Sequence, residues 1–339
     1  MRVLVTGGAG YVGSVSVEAL VAGGHAVLVL DDLSAGHRAA VVPEARFVHG
    51  SYADRRLLDA LLAETPVDAV LHCAARSLVA ESIANPALYY RENVAGGVTL
   101  LEALREAGVR RFVFSSTAAV YGAPATVPIR EEAPTVPINP YGETKRTLEA
   151  ALRWYAAAYG IRSVSLRYFN VAGASARNGE LHRPETHLVP NVLAAVDGGS
   201  PLTIYGADYP TPDGTCIRDY LHVEDLARAH LLALEATAPG DPRTDAEPGS
   251  GRSASSLVLN LGNGAGFSVR EILAAAEVVT GRAVPHLVGP RRAGDPPTLV
   301  ADATRAGEVL GWEPHHRDIA EIVASSWAWR RTHPGGYPA

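Results

Sequence analysis

Short apolar runs alternating with helix-patterned stretches constrain this chain more than any other feature. RVLVT (2–6), AVLVLD (26–31), RFVHG (46–50), DAVLHCA (68–74) and RFVFSS (111–116) read as strands. Around them GSVSVEALVAGG, DRRLLDALLAE and NVAGGVTLLEALREAG carry helical periodicity. Strands this short, with few polar residues, suit a parallel sheet covered on both faces. Repeated strand–helix alternation builds such a sheet in doubly wound form, with right-handed crossovers. The expected fold class is α/β: a Rossmann-type doubly wound parallel sheet with a smaller C-terminal substrate-binding lobe.

After about Asn170 the alternation loosens, and proline and glycine punctuate GADYPTPDGT and VGPRRAGDPPT. We expect residues 1–170 to form the dinucleotide-binding domain and 171–339 mainly the second lobe. Segments near 216–236 and 257–262 are expected to return to the first domain and its sheet. The polar stretch 237–256 reads as a mobile surface loop. With 339 residues, 47% of them hydrophobic and 19% charged, the composition is globular. A net charge of -6 offers no electrostatic reason to expect nucleic acid or an anionic membrane as partner. The two cysteines, Cys73 and Cys216, have no metal-type spacing, and no metal site is expected. The N-terminal apolar run is broken at once by glycines, which suits a buried strand rather than a leader peptide. A soluble protein of a reducing cytoplasm is the expectation.

TGGAGYVG follows the first strand and opens the first helix. Gly8, Gly10 and Gly13 satisfy G-x-G-x-x-G, and Gly7, Gly10 and Gly13 satisfy the looser G-x-x-G-x-x-G. Without side chains the backbone can approach a pyrophosphate, and the helix N-terminus offers free N–H groups and a positive dipole end. A lone glycine motif is weak evidence, but here it sits in the strand–turn–helix context the mechanism requires. The second strand ends in Asp31, followed by Asp32. A carboxylate there accepts hydrogen bonds from a ribose 2′-OH and repels a 2′-phosphate, so NAD is the expected cofactor. A helix cap or a solvated loop acid is the alternative use of these residues.

FVFSSTAAVYG places Ser115, Ser116 and Thr117 at the strand end that faces the ligand crevice. Downstream, Tyr141 and Lys145 lie at i, i+4 and share a helix face. A tyrosine with its ordinary pKa near 10 is a poor base at neutral pH. A nearby ammonium and a positively charged nicotinamide favour the phenolate, and Thr117 offers a hydroxyl to bridge substrate oxygen and phenol. Alone, Tyr-x-x-x-Lys is usually a half-buried aromatic and a solvated lysine. Combined with the glycine loop and the strand-end acid, it fits oxidation and reduction at a secondary alcohol carbon, with Tyr141 as proton relay.

At this point the chain resembles the extended short-chain dehydrogenases/reductases, and more narrowly the UDP-glucose (UDP-galactose) 4-epimerases. The resemblance runs nearly end to end. It includes LRYFNVAGA at 166–174, YGADYPTPDGTCIRDYLHVEDLA at 205–227, NLGNGAGFSV at 260–269 and PRRAGDPP at 290–297. It implies a tightly held NAD, a UDP-sugar substrate and a transient 4-keto sugar that turns over between half-reactions. For the cofactor it implies Gly7, Gly10, Tyr11, Val12, Gly13, Asp31, Asp32, Ser34, Ser51, Tyr52, Cys73, Ala74, Ala75, Ser77, Asn93, Ser115, Tyr141, Lys145 and Tyr168. For the substrate it implies Arg76, Thr117, Tyr141, Phe169, Asn170, His187, Leu188, Thr203, Tyr205, Arg218, Tyr220, Arg292, Asp295 and Leu299. Arginine forks suit a diphosphate; each charged residue here also reads as a loop salt bridge. A homodimer through paired helices, NVAGGVTLLEALREAG and KRTLEAALRWYAAAYG, is the implied assembly.

Four positions depart from the family pattern. Thr117 stands where serine is common. Ser51 replaces an aspartate near the adenine, with Tyr52 as a substitute. Ser77 replaces a lysine, and the adjoining Arg76 is either a structural arginine or a cation for a substrate carboxylate, which brings in UDP-glucuronate. Leu299 occupies the position that gates sugar size and leaves UDP-N-acetylhexosamines open. A fold relative that binds nucleotide sugars without turnover is the non-enzymatic alternative.

Overall fold

In the computed structural model, which describes residues 1–244, 256–292 and 294–338, seven parallel strands form the central sheet. They are β1 (Arg2–Thr6), β2 (Ala26–Asp31), β3 (Arg46–His49), β4 (Ala69–His72), β5 (Arg111–Ser115), β6 (Arg162–Tyr168) and the late strand Ser256–Leu261. Their order across the sheet is late strand, β6, β5, β4, β1, β2, β3. The direction of winding reverses at β1, between β4 and β2, and ligands bind such sheets outside the carboxyl ends of the strands at that switch.

Strand alternation divides the core. Val3, Val5, Val27, Val29 and Leu71 face the helices α1 (Tyr11–Ala22) and Val223–Ala236. Leu4, Leu28, Leu30, Val70, Phe112 and Phe114 face α2 (Arg55–Glu64) and the helices Gly97–Glu106 and Pro140–Tyr159. Each such side chain contributes about 1.5–3 kcal/mol by leaving water, so the strands are apolar on both faces. The C-terminal lobe has its own core, built from Val192, Leu193, Ile204, Ile272, Ala276 and Ile322.

Ser256–Leu261 pairs with β6 in parallel, from Ser256 opposite Ser163 to Leu261 opposite Tyr168. The strand residues of CIRDYLH do not join that sheet, contrary to the sequence expectation. Tyr220–His222 pairs with Asn170–Ala172, while Ile217–Arg218 pairs with Phe267–Ser268 and Thr298–Leu299. The carboxylate of Asp219 decides this. It is fully buried and accepts the N–H groups of Asn263, Gly264 and Ala301, tying two loops to the turn between the two short strands. The helix Val223–Ala236 nevertheless packs on α1, where the Ser16 hydroxyl meets His230 Nδ1 at 3.0 Å. Positions 245–255 of the polar loop lie outside the described residues. Among the described residues no helix is long and apolar enough to cross a membrane.

Candidate active site

The turn after β1 is shaped for close approach. Gly7 has φ +75°, and a Cβ there would lie 2.5 Å from Ala74 N. A Cβ on Gly13 would lie 2.0 Å from Gly7 O, so the first turn of α1 folds back onto the loop only because Gly13 has no side chain. The result is a side-chain-free cradle at a helix N-terminus, the shape a pyrophosphate needs. Asp31, 8% exposed, accepts Ala9 N at 2.9 Å and Leu33 N at 2.8 Å. It thereby pins the glycine turn to the end of β2, and each oxygen keeps a lone pair for a ribose hydroxyl. Burial raises its pKa, while the two backbone N–H groups pull it down. Asp32 is exposed and caps Ser34 N.

Several residues expected at the cofactor are already committed to the protein. Tyr11 donates to Gly173 O at 2.6 Å, tying the dinucleotide turn to the second lobe. The Ser51 hydroxyl accepts Ala53 N, and Tyr52 donates to Glu92 O while its ring sits edge-on to His72. The Asn93 amide bridges Arg76 N, Arg76 O and the Thr144 hydroxyl, fixing the β4 loop to the Pro140–Tyr159 helix. Val12, Ala74 and Ala75 are half-buried around the cradle, and Ser77 is exposed. The Arg76 guanidinium has no ion-pair partner among the described residues. It lies near enough to Tyr52 to oppose the rise that burial gives that phenol.

The candidate reactive group is built where β5 ends beside the N-terminus of the Pro140–Tyr159 helix. Asn139 caps that helix by accepting Gly142 N at 2.8 Å, and Pro140 fits its first turn. Thr117 caps the short turn Ala118–Tyr121 through Ala119 N. The two segments meet at Gly142, where a Cβ would lie 2.5 Å from Ala119 O. That contact brings the Thr117 hydroxyl against the Tyr141 phenol, both 9% exposed. Burial raises the Tyr141 pKa, and the Thr117 hydroxyl pulls it the other way.

Lys145 departs from the expected arrangement. It is 3% exposed, donates to Ser115 O at 2.7 Å and lies over the Phe114 ring at 4.7 Å. Burial brings its pKa down to about 8. The polypeptide by itself therefore disfavours the phenolate, because desolvation of Tyr141 outweighs any help from a lysine aimed at a carbonyl. Ser115 is fully buried, with its hydroxyl on Cys73 Sγ and His230 Nε2, so it serves the site through its carbonyl. Burial pushes the Cys73 thiol up to about 11 and brings His72 down to about 3, which makes both neutral wall residues. Tyr168 lies beside Tyr141, Cys73 and Ser115, and its phenol is also pushed up by burial.

Behind these groups is a buried network that the sequence reading missed. Glu149 accepts the Ser116 hydroxyl at 2.5 Å and two Arg167 nitrogens at 3.0 and 2.6 Å. Arg167 also donates to Tyr121 OH, which donates to Asn260. The spacing of Glu149 four residues after Lys145, on the same face, was the available signal.

On the other side of Thr117 the second lobe gathers its polar residues. Leu299 pairs with Arg218 in parallel register, and Arg218 donates to Asp295 at 2.8 Å. Arg292 stacks over Tyr205 at 3.9 Å. Asn170 is exposed, and its backbone N–H donates to Asp219 O. Phe169 and Leu299 join Ala118, Tyr121 and Ile129 in one apolar cluster, directly beyond the Thr117 turn. Tyr220 is buried, and Thr203 lies half-buried on the strand Leu202–Tyr205. His187 and Leu188 open the helix Leu188–Val196. His187 is in close contact with Glu180 and Glu185, beside His182, a grouping of potential metal ligands that no spacing rule suggested.

A dinucleotide cradle and a Thr–Tyr–Lys constellation at the carboxyl ends of a doubly wound sheet define a short-chain dehydrogenase/reductase type of enzyme. The chain belongs to the NAD dependent epimerase/dehydratase family, whose model matches residues 3–246. Its relatives include the UDP-glucose 4-epimerase of Lactobacillus helveticus, 49% identical over 99% of both chains. Among solved structures, UDP-glucose 4-epimerase from Brucella ovis in complex with NAD is 44% identical with a TM-score of 0.90, covering 97% of this chain and 98% of that one. The Bifidobacterium longum enzyme in complex with NAD+ and UDP is 35% identical with a TM-score of 0.90, over 99% and 100%.

Proposed function

We propose that this protein interconverts UDP-glucose and UDP-galactose by epimerisation at sugar C4, using an NAD that stays bound. The observation that carries the reading is the Thr117–Tyr141 contact, together with the glycine cradle, the Arg218–Asp295 pair and Arg292 stacked over Tyr205. Full-length relatives that are UDP-glucose 4-epimerases support it. When bound, NAD supplies the hydride acceptor and donor at C4. Gly7, Gly10 and Gly13 would hold its pyrophosphate, and Asp31 a ribose.

The chain's own residues handle the proton and the substrate. Tyr141 takes the proton of the sugar 4-OH, and Thr117 bridges the phenol and that oxygen. The phenol sits in the first turn of its helix, whose positive end favours the phenolate. The remaining bias has to come from the positively charged cofactor, since burial acts against it. Arg218 and Arg292 hold the diphosphate and Asp295 a uridine ribose. Anchoring lies on the part that does not react, so the 4-keto sugar is free to turn its other face.

Arg76, near Tyr52 rather than in the Arg218 cluster, gives no observation in favour of UDP-glucuronate. Leu299 in an apolar cluster with Phe169 suits a hexose wall. We further infer a homodimer, because Val98, Trp154 and Tyr159 lie exposed on the helices expected to pair. Two free cysteines fit the cytoplasm. The test is conversion of UDP-glucose, UDP-glucuronate and UDP-N-acetylglucosamine by purified protein without added NAD, followed chromatographically. UDP-glucose is expected to react. Conversion of UDP-glucuronate alone would overturn the substrate assignment, and bound NAD with no conversion at all would overturn the enzyme.

A further inference from the structure

The loop after the short strand Asn170–Ala172 carries Glu-x-His-x-x-Glu-x-His from Glu180 to His187, and it folds so that all four side chains converge. We propose that Glu180, His182, Glu185 and His187 form a binding site for one divalent transition-metal ion of the zinc class. The proposal takes His187, which the resemblance assigns to the substrate, as a metal ligand, and is otherwise independent of the epimerase reading.

The geometry is that of ligands around a centre more than of partners in hydrogen bonds. Both histidines present Nδ1. Glu180 Oε1 lies 2.8 Å from His187 Nδ1 and 3.4 Å from His182 Nδ1. Glu185 lies 2.9 Å from His187 Nδ1 and 3.6 Å from His182 Nδ1. All four candidate ligand atoms fall within 4.8 Å of one another. A tetrahedral zinc site with bonds of about 2.0–2.1 Å has ligand-to-ligand edges of roughly 3.3 Å, inside the range of the four contacts.

Of those four contacts only His187 Nδ1 to Glu185 has hydrogen-bond geometry. His182 Nδ1 has no hydrogen-bond partner although solvent does not reach it. A buried ring nitrogen left in that state is destabilising unless something else takes its lone pair.

The carboxylates are prepared for the role. Glu185 accepts the backbone N–H groups of His182, Thr186 and His187, which fixes its orientation before any ion arrives. The Glu180 side chain is only 7% exposed. Two imidazoles with two carboxylates select zinc and its neighbours, since calcium and magnesium prefer all-oxygen shells. Eight consecutive residues hold all four groups, so closing the site costs little chain entropy.

The position gives the ion a purpose. The His182 ring is edge-on to Tyr11 of the dinucleotide turn, and Tyr337 from the C-terminus hydrogen-bonds both N and O of Gly179. An ion here would brace the loop that ties the glycine turn to the second lobe. The rival arrangement is a latch of two imidazolium–carboxylate pairs that needs no ion.

Full-length protein carrying its cofactor would be stripped with chelator, dialysed against Zn2+, desalted and analysed for metal by mass spectrometry. One zinc per chain is expected, with a chelator-reversible rise in Tm. His182→Ala and Glu180→Gln should each lower retained zinc by more than about tenfold. Co2+ in place of zinc should show the visible bands of a tetrahedral site, a readout that requires no variant. No retained zinc and no cobalt bands would establish the charge-paired latch and overturn the proposal. Zinc retained equally by the wild type and both variants would also overturn it.

Discussion

At the residue scale, the site turns on two buried groups whose surroundings act in opposite senses. Tyr141→Phe keeps ring packing and removes the proposed proton carrier. Epimerisation should fall by about 10²–10⁴-fold while bound NAD is retained, as read by turnover and by absorbance of the purified protein. Lys145 gives a pH signature. Its pKa is about 8 against an ordinary value of 10.5. Below about pH 8 the ammonium is charged in both folded and unfolded chains, and the folded state bears the whole desolvation cost. Between pH 8 and 10.5 the folded protein loses the proton first and the cost fades. Lys145→Met should therefore gain up to roughly 3 kcal/mol in denaturant unfolding at pH 7, less the lost Ser115 hydrogen bond, and the gain should shrink towards pH 10.

At the element scale, the proposed catalytic contact depends on how closely a helix end meets a turn. Gly142→Ala places a methyl 2.5 Å from Ala119 O, and the helix has to move away. Displacement of about 1 Å is expected to lower kcat by ~100-fold with little change in KM, since the proposed substrate anchors lie elsewhere. Glu149→Ala leaves Arg167 charged and buried without its partner. A loss of about 3–5 kcal/mol in unfolding free energy is expected, with Glu149→Gln milder because it keeps an acceptor for Ser116. Strands β1 to β5 were legible because apolar runs and turns are local signals, and RVLVT and RFVFSS begin at the first residues of β1 and β5; RSVSLRY of β6, interrupted by polar residues, was not read as a strand. CIRDYLH was misplaced because both candidate sheets satisfy its pattern, and Asp219, acting on loops some 44 and 82 positions away, makes the choice.

At the scale of the whole molecule, exposed aromatic residues mark an outer face. Trp154 is 74% exposed on the Pro140–Tyr159 helix. If that helix pairs with a second copy, Trp154→Glu should shift sedimentation from dimer to monomer without unfolding the chain. The sequence by itself determined strands β1 to β5, the glycine cradle, the strand-end carboxylate and the Thr117, Tyr141 and Lys145 positions. Each of these is written in neighbouring residues or in a helix repeat. Only the tertiary structure decided that Lys145 points to Ser115 O, that Arg218 meets Asp295, and that Glu180, His182, Glu185 and His187 converge. Those outcomes depend on burial and on side-chain direction. Both are set by residues distant in sequence, and a lysine's favoured partner changes once water is removed from around it.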